Sequence, residues 1–257
     1  MSKIFFINKK IQSFKKKIYV PGDKSLSIRW VLLSSLASGK SKAKNLLMSE
    51  DVLAAINAIK KLGIKTIIKK NECIIYGKGF NGYKYDKNIT INAQNSGTLG
   101  RLILGFLVNS PNPIKIVGDK SLSKRDFKRI SDPLSKFGVN FKLRKNKFLP
   151  LKIFGSSKLK PIKYNEEKGS AQCKSAVIFG AMRTNGTTII KAKKSRNHTE
   201  LLCKYLKLPI SIKKAKRYDE IKIKKVTKIK TINYNIPSDI SSSAFFIVLT
   251  ALSKNSE

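Results

Sequence analysis

The chain has 257 residues, of which 54 are basic and 15 acidic, with a formal net charge of +39 and a hydrophobic fraction of 41%. That apolar content supports a sizeable core and excludes wholesale disorder, and the length fits one large domain or two smaller ones. A single histidine (His198) excludes multi-histidine metal sites, and three scattered cysteines (Cys73, Cys173, Cys203) with no Cys-x-x-Cys pair indicate neither a disulfide framework nor a zinc cluster.

Residues 1–17 alternate short apolar runs with lysines and lack the apolar core and cleavage site of a signal peptide. No apolar run approaches the ~20 residues that span a bilayer, so a cytoplasmic protein without membrane contact is expected. Pro21-Gly22-Asp23-Lys24-Ser25 then leads into an apolar run at 28–37, and a helix over 50–62 stops at Gly63. Strands are expected at 65–69, 73–76 and 89–91 from their branched residues. Asn95-Ser96-Gly97-Thr98 leads into a run at 102–108, followed by a strand at 114–117 and a helix over 125–137 that stops at Gly138. Ser49 with Asp51, and Ser123 with Asp126, offer capping chemistry for these two helices. Strands at 140–143 and 151–153 precede Gly169-Ser170-Ala171-Gln172 and its run at 176–182. A strand at 187–191, a helix over 198–206 and strands at 210–213 and 220–224 follow. Pro237-Ser238-Asp239 opens a last apolar run at 244–252.

The pattern repeats. Gly22, Gly97, Gly169 and Ser238 stand 75, 72 and 69 residues apart. Each unit reads strand, helix, strand, helix, strand, strand over ~70 residues, which gives an α/β fold of βαβαββ repeats. Residues 21–235 are expected to form one domain of three such units. Residues 1–20 are read as an edge segment of another domain, and 236–257 as that domain's beginning. Repeats bury their faces on one another, so the apolar tail is expected to pack on further chain, and the sequence is read as the N-terminal part of a longer protein.

Packing accounts for the apolar runs but not for the polar cluster before each one. Helix N-termini present free N–H groups to phosphates and carboxylates, and glycine lets a ligand approach the backbone. Lys24, Ser25 and Arg29 attend the first cluster; Asn95, Gly97, Thr98 and Arg101 the second; Ser170, Gln172 and Lys174 the third. The segments Gly118-Asp119-Lys120-Ser121-Leu122 with Arg125, and Ser195-Arg196-Asn197-His198, are similar. Only 8 of the 54 basic residues are arginine, and five of those (29, 101, 125, 129 and 196) lie in or beside these segments. Arginine kept at such places points to bidentate recognition of a small, multiply anionic metabolite. A P-loop is not indicated: Gly39-Lys40-Ser41 matches its end, but Ser34 stands where the first glycine is required.

Six segments in order resemble the 5-enolpyruvylshikimate-3-phosphate (EPSP) synthase family, the 3-phosphoshikimate 1-carboxyvinyltransferases. They are Pro-Gly-Asp-Lys-Ser-Leu-Ser-Ile-Arg at 21–29, Asn-Ser-Gly-Thr at 95–98 with Arg101, and Gly-Asp-Lys-Ser-Leu-Ser-Lys-Arg at 118–125. Ser-Ala-Gln-Cys-Lys-Ser-Ala at 170–176, Ser-Arg-Asn-His-Thr-Glu at 195–200 and Pro-Ser-Asp-Ile-Ser-Ser-Ser-Ala-Phe-Phe at 237–246 complete them. The departures are Ile28 where the family often has histidine, Asp126 where proline is usual, and Asn197 in place of a common aspartate.

The resemblance implies one half of an inverse α/β barrel (an α-β prism), a monomer at full length, and no metal or other cofactor. It implies transfer of the enolpyruvyl group of phosphoenolpyruvate to the 5-hydroxyl of shikimate 3-phosphate, with release of phosphate, in aromatic amino-acid biosynthesis. By matching position, Lys24 would touch both substrates and assist proton transfer. Shikimate 3-phosphate would be held by Lys24, Ser25, Arg29, Ser170, Ala171, Gln172, Ser195 and Arg196. Phosphoenolpyruvate would be held by Lys24, Asn95, Gly97, Arg125 and Gln172. The family's catalytic carboxylates come from its second domain, so this chain would form one wall of the site. Three alternatives stand beside this reading: a UDP-N-acetylglucosamine enolpyruvyl transferase relative, an inert fragment, and a basic nucleic-acid binder. Nucleic acid is not expected as a partner, because aromatic residues are read as not interleaved with the basic stretches. Most of the lysine is then solvated surface.

Overall fold

The computed structural model describes residues 6, 8, 12–69 and 72–257. The first unit comprises α1 (Lys24–Leu36), β1 (Ser38–Lys44), α2 (Glu50–Lys61), β2 (Lys65–Lys69) and β3 (Glu72–Lys78). The second comprises β4 (Thr90–Asn92), α3 (Gly97–Phe106), β5 (Ile114–Val117), a 3-10 turn (Leu122–Lys124), α4 (Lys128–Ser135), β6 (Asn140–Arg144) and β7 (Phe148–Phe154). The third comprises β8 (Lys163–Glu166), α5 (Ala171–Ala181), β9 (Thr187–Lys193), α6 (His198–Tyr205), β10 (Ile210–Lys213) and β11 (Tyr218–Lys224), after which come β12 (Asn233–Asn235) and α7 (Ile240–Leu252).

The three four-stranded sheets share one topology: β12-β1-β3-β2, β4-β5-β7-β6 and β8-β9-β11-β10. In each, the first two strands are parallel and the rest antiparallel. Among the described residues, the first unit has no leading strand of its own. It takes β12 from the end of the third unit, with Lys42, Ala43 and Lys44 opposite Asn233, Tyr234 and Asn235.

Burial alternates along several strands. In β9, Thr188, Ile190 and Ala192 face inward while Thr187, Lys191 and Lys193 face water. The sheets are therefore outer walls, and the helices fill the interior. α1 is buried continuously from Ser27 to Leu36 and α5 from Cys173 to Ala181, as expected of helices packed on every side. α3 and α5 approach closely at Gly105, where an added Cβ would lie 2.3 Å from the Ala176 carbonyl oxygen.

Three sequence expectations need correction. The helix expected over 125–137 is a 3-10 turn at Leu122–Lys124 followed by α4 from Lys128. Arg125 lies in extended backbone between them. Ser123 does not cap that helix: its hydroxyl donates to the Gly118 carbonyl at 3.1 Å, while Asp126 Oδ1 accepts the Arg129 N–H. Ser49 occupies the N-cap of α2 but makes no side-chain capping bond. The strands β1, β8 and β12 had no apolar signal to reveal them. The inward residues of β1 are Ser41 and Ala43, and the Ser41 hydroxyl is held by the Ile232 N–H at 2.9 Å. No residue of α7 is buried, and among the described residues no helix is long and apolar enough to cross a membrane.

Candidate active site

Each polar cluster is the capping turn of a central helix. Asp23 Oδ1 accepts the Leu26 N–H at 2.7 Å, Ser96 Oγ the Leu99 N–H at 3.2 Å, and Ser170 Oγ the Cys173 N–H at 3.3 Å. The caps that start the three buried helices thus place Lys24, Gly97 and Ala171 at their first turns.

Side chains then join these ends. Gln172 bridges α5 to α3: its Oε1 accepts from Arg101 Nη1 at 2.7 Å and its Nε2 donates to Thr98 Oγ1 at 3.1 Å. Asn95 accepts from Arg125 Nη2 at 3.2 Å and donates to Asp119 Oδ2 at 2.7 Å, while Asp119 Oδ1 holds the Leu122 N–H. This ties the Gly118–Arg125 loop to the start of α3. Gly97 is buried between two guanidiniums, and an added Cβ would lie 2.9 Å from Arg101 Nη1 and 3.0 Å from Arg125 Nη1. Two cations beside a helix N-terminus suit a compact, multiply charged anion.

A second group lies where α1, α5 and α6 meet. Arg29 is 3% exposed. Its Nε donates to Thr199 Oγ1 at 2.7 Å, Nη1 to the Ser25 carbonyl at 2.9 Å, and Nη2 to Ser175 Oγ at 3.2 Å. Burial lowers its pKa to about 10, opposed by the nearby Glu200 and Asp23 carboxylates, so it remains charged at neutral pH. Ser195 Oγ is buried without a hydrogen-bond partner. An orphan hydroxyl of this kind fits a position that a ligand oxygen completes. Burial also lowers the pKa of His198, with Arg29 and Arg196 acting in the same sense and Asp23 and Glu200 against it. Two predicted cations are engaged elsewhere. Lys24 Nζ is 3.4 Å from Asp51 Oδ2, and Arg196 Nη2 is 3.4 Å from Ser241 Oγ on α7.

The family model described as EPSP synthase (3-phosphoshikimate 1-carboxyvinyltransferase) matches residues 8–256. The chain belongs to the EPSP synthase family. Curated relatives named 3-phosphoshikimate 1-carboxyvinyltransferase include one from Caldicellulosiruptor bescii, 42% identical over 97% of this chain, and one from Caldicellulosiruptor saccharolyticus, 39% identical over 98%. The chain spans 58% of the length of each. Among solved structures, an EPSP synthase from Acinetobacter baumannii matches with a TM-score of 0.86 and 32% identity, over 95% of this chain and 55% of that one.

Of the predicted residues, Asn95, Gly97, Arg125 and Gln172 form one group, and Arg29 with the Ser25 carbonyl forms a second, with Ser170 and Ala171 opening α5. Among the described residues, Lys24, Ser195 and Arg196 make no hydrogen bond to either group. The sequence reading left out several residues that hold these in place. Arg101 stands in the second polar cluster but is not among the site residues the resemblance implies. Its spacing of one helical turn from Gly97 was the available signal, and it donates to the Gly97 carbonyl at 3.4 Å. Thr98 and Asp119 stand in segments already marked in the sequence, but their pairings with Gln172 and Asn95, and those of Ser175 and Thr199 with Arg29, join separate elements and have no local spacing to reveal them.

Proposed function

We propose that this chain forms one wall of a 3-phosphoshikimate 1-carboxyvinyltransferase site, acting on phosphoenolpyruvate and shikimate 3-phosphate. The observation that carries the reading is Gly97 at the N-terminus of α3, flanked by the Arg101 and Arg125 guanidiniums within 3.0 Å of where its Cβ would be. Phosphoenolpyruvate, with a phosphate and a carboxylate on three carbons, matches this pair of cations at a helix N-terminus, with Asn95, Gly97, Arg125 and Gln172 as its contacts. Shikimate 3-phosphate would lie across the starts of α1 and α5, against Ser25, Ser170, Ala171 and Gln172. Arg29 would hold it from below, and Ser195 and Arg196 would close around its polar groups.

Lys24 is assigned to both substrates and to proton transfer. Protonation of the methylene carbon leaves a cation-like centre at the phosphate-bearing carbon, to which the 5-hydroxyl oxygen adds as it loses its proton; loss of a proton from the new methyl group then expels phosphate and restores the vinyl group. That chemistry requires two anions desolvated and aligned side by side, which fixed helix ends and guanidiniums provide without reorganisation. The Lys24–Asp51 pair is half exposed, so the ammonium can turn toward a bound anion at small cost. With this reading go residues 21–235 as one domain, residues 1–20 (of which 1–5, 7 and 9–11 lie outside the described residues) and 236–257 as edges of a second, and a monomeric cytoplasmic protein at full length.

Titration calorimetry on the 257-residue chain tests the proposal. Saturable one-site binding of shikimate 3-phosphate, weakened at least tenfold by R29A and absent for UDP-N-acetylglucosamine, is expected. Heats that do not saturate with shikimate 3-phosphate, or preference for the nucleotide sugar, would overturn it.

A further inference from the structure

The sheet β4-β5-β7-β6 differs from the other two in its charge. Its four strands contain no acidic residue. Lys142 on β6 stands opposite Lys152 on β7, and Lys152 stands opposite Lys115 on β5. Strands are spaced ~4.8 Å apart, so three like charges form a row about 10 Å long. Like charges directly opposite one another destabilise a sheet. The other two sheets relieve their lysines. Glu72 lies between Lys44 and Lys69 and is 2.7 Å from Lys42 Nζ, while Glu220 lies between Lys191 and Lys213. Among the described residues, Lys115, Lys142 and Lys152 have no carboxylate partner.

The same face carries aromatic rings. Along β7, Leu149, Leu151 and Ile153 are buried, which turns Phe148, Pro150, Lys152 and Phe154 outward. Phe148 and Phe154 are half-buried and have cations over their rings: Arg144 and Lys147 at 5.4 and 5.8 Å from the Phe148 centroid, Lys152 at 5.7 Å from that of Phe154. The expectation that aromatics are not interleaved with basic stretches therefore fails in residues 140–154. The β6–β7 hairpin folds Lys142, Phe148, Lys152 and Phe154 onto one surface.

We propose that this outer face binds single-stranded nucleic acid. The lysine row takes successive phosphates, and as Arg144, Lys147 and Lys152 turn from the rings to phosphates they uncover Phe148 and Phe154 as stacking platforms for bases. A single phosphorylated metabolite would use the row but not the rings. A duplex hides its base faces. An anionic bilayer would use the charges, but half-buried rings expose too little apolar surface to insert into it. The surface shares no residue with the substrate wall and does not depend on that reading.

The test is fluorescence anisotropy of a labelled 15-mer of oligo(U) with the 257-residue chain across a salt series. K115Q/K142Q/K152Q is compared with K163Q/K193Q/K224Q, which removes the same three charges from exposed positions on the third sheet. The first triple variant is expected to weaken binding at least tenfold and to reduce the salt slope by about 2, since each phosphate contact on a single strand contributes about 0.7. The second triple is expected to weaken it less than threefold. Relief of the like-charge row should leave the first variant's melting temperature unchanged or higher. F148L/F154L, which keeps the apolar packing, should weaken oligo(U) binding several-fold and leave binding of a duplex of equal length unchanged. Equal loss in the two triple variants would reduce the effect to bulk charge and overturn the proposal. So would binding of the duplex, or of phosphatidylglycerol vesicles, as tight as that of oligo(U).

Discussion

The Glu200 carboxylate on α6 lies 2.6 Å from the Lys174 ammonium on α5, and both side chains are almost fully buried. Their chain neighbours Thr199 and Ser175 are the two hydroxyls that hold Arg29. The pair therefore fixes α6 against α5 beneath the guanidinium of the candidate site. A buried pair adds little over a well-packed apolar one, but removing one partner strands a charge. Glu200→Ala should lower unfolding free energy by about 3–5 kcal/mol in urea titrations. Lys174→Met combined with Glu200→Leu should recover most of that loss. A single variant as stable as the parent would show that the pair is not carrying the charge burden.

Gly97 gives a prediction in which stability and binding part company. The atoms that an added Cβ would meet are the tips of Arg101 and Arg125, which can move aside. Alanine in place of a helical glycine gains roughly 0.5–1 kcal/mol. Gly97→Ala should therefore melt at an equal or higher temperature. It should also bind phosphoenolpyruvate about tenfold more weakly, because the methyl group fills the space between the two cations. Calorimetry with phosphoenolpyruvate and shikimate 3-phosphate separates the two effects, since the second affinity should change little. Unchanged phosphoenolpyruvate affinity would remove Gly97 from that pocket.

Much of this arrangement was legible in the sequence where one segment carries its own signal. The polar clusters before apolar runs marked the capped starts of α1, α3 and α5, because a cap and a buried helix leave adjacent traces. Strand β1 was not legible, since its inward residues are Ser41 and Ala43 and their burial depends on neighbours far along the chain. The leading strand of the first unit was hidden in another way: β12 is contiguous with the third unit and pairs with the first. At the site, Gly97 and Arg125 could be named from their motifs. Arg29's partners Thr199 and Ser175 could not, for they stand 170 and 146 residues away. Lys24 was assigned as a substrate contact, and the fold adds its pairing with Asp51.

His198 predicts a pH dependence with a definite sign. Burial depresses its pKa below the ordinary value of 6.5 in the folded protein. As pH falls through 6.5 the unfolded chain takes up a proton that the folded protein does not, so stability falls until the folded pKa is passed. The contribution is fully present above 6.5. Urea midpoints measured from pH 8 to pH 5 should decline for the parent, and the decline should be shallower in His198→Gln. Parallel curves for the two proteins would assign the acid sensitivity to other groups.

Gly22 shows the opposite case to Gly97. It bridges to Ser238, and the flanking Asp23 N–H donates to the Pro237 carbonyl at 2.8 Å while the Asp239 N–H donates to the Pro21 carbonyl at 2.9 Å. The two passages of chain cross directly over Asn45, whose Nδ2 donates to the Ile236 carbonyl at 2.9 Å. A Cβ at Gly22 would lie 2.0 Å from the Asn45 carbonyl oxygen, a backbone atom that cannot swing away as an arginine tip can. Gly22→Ala should therefore cost about 3 kcal/mol, at the upper end for overpacking. The strain falls on the crossing itself, so limited proteolysis should cut the variant near residues 19–22 and 236–239 before the rest of the fold opens. A Gly22→Ala protein with the parent's melting temperature and digestion pattern would mean that the two passages do not cross as closely as this.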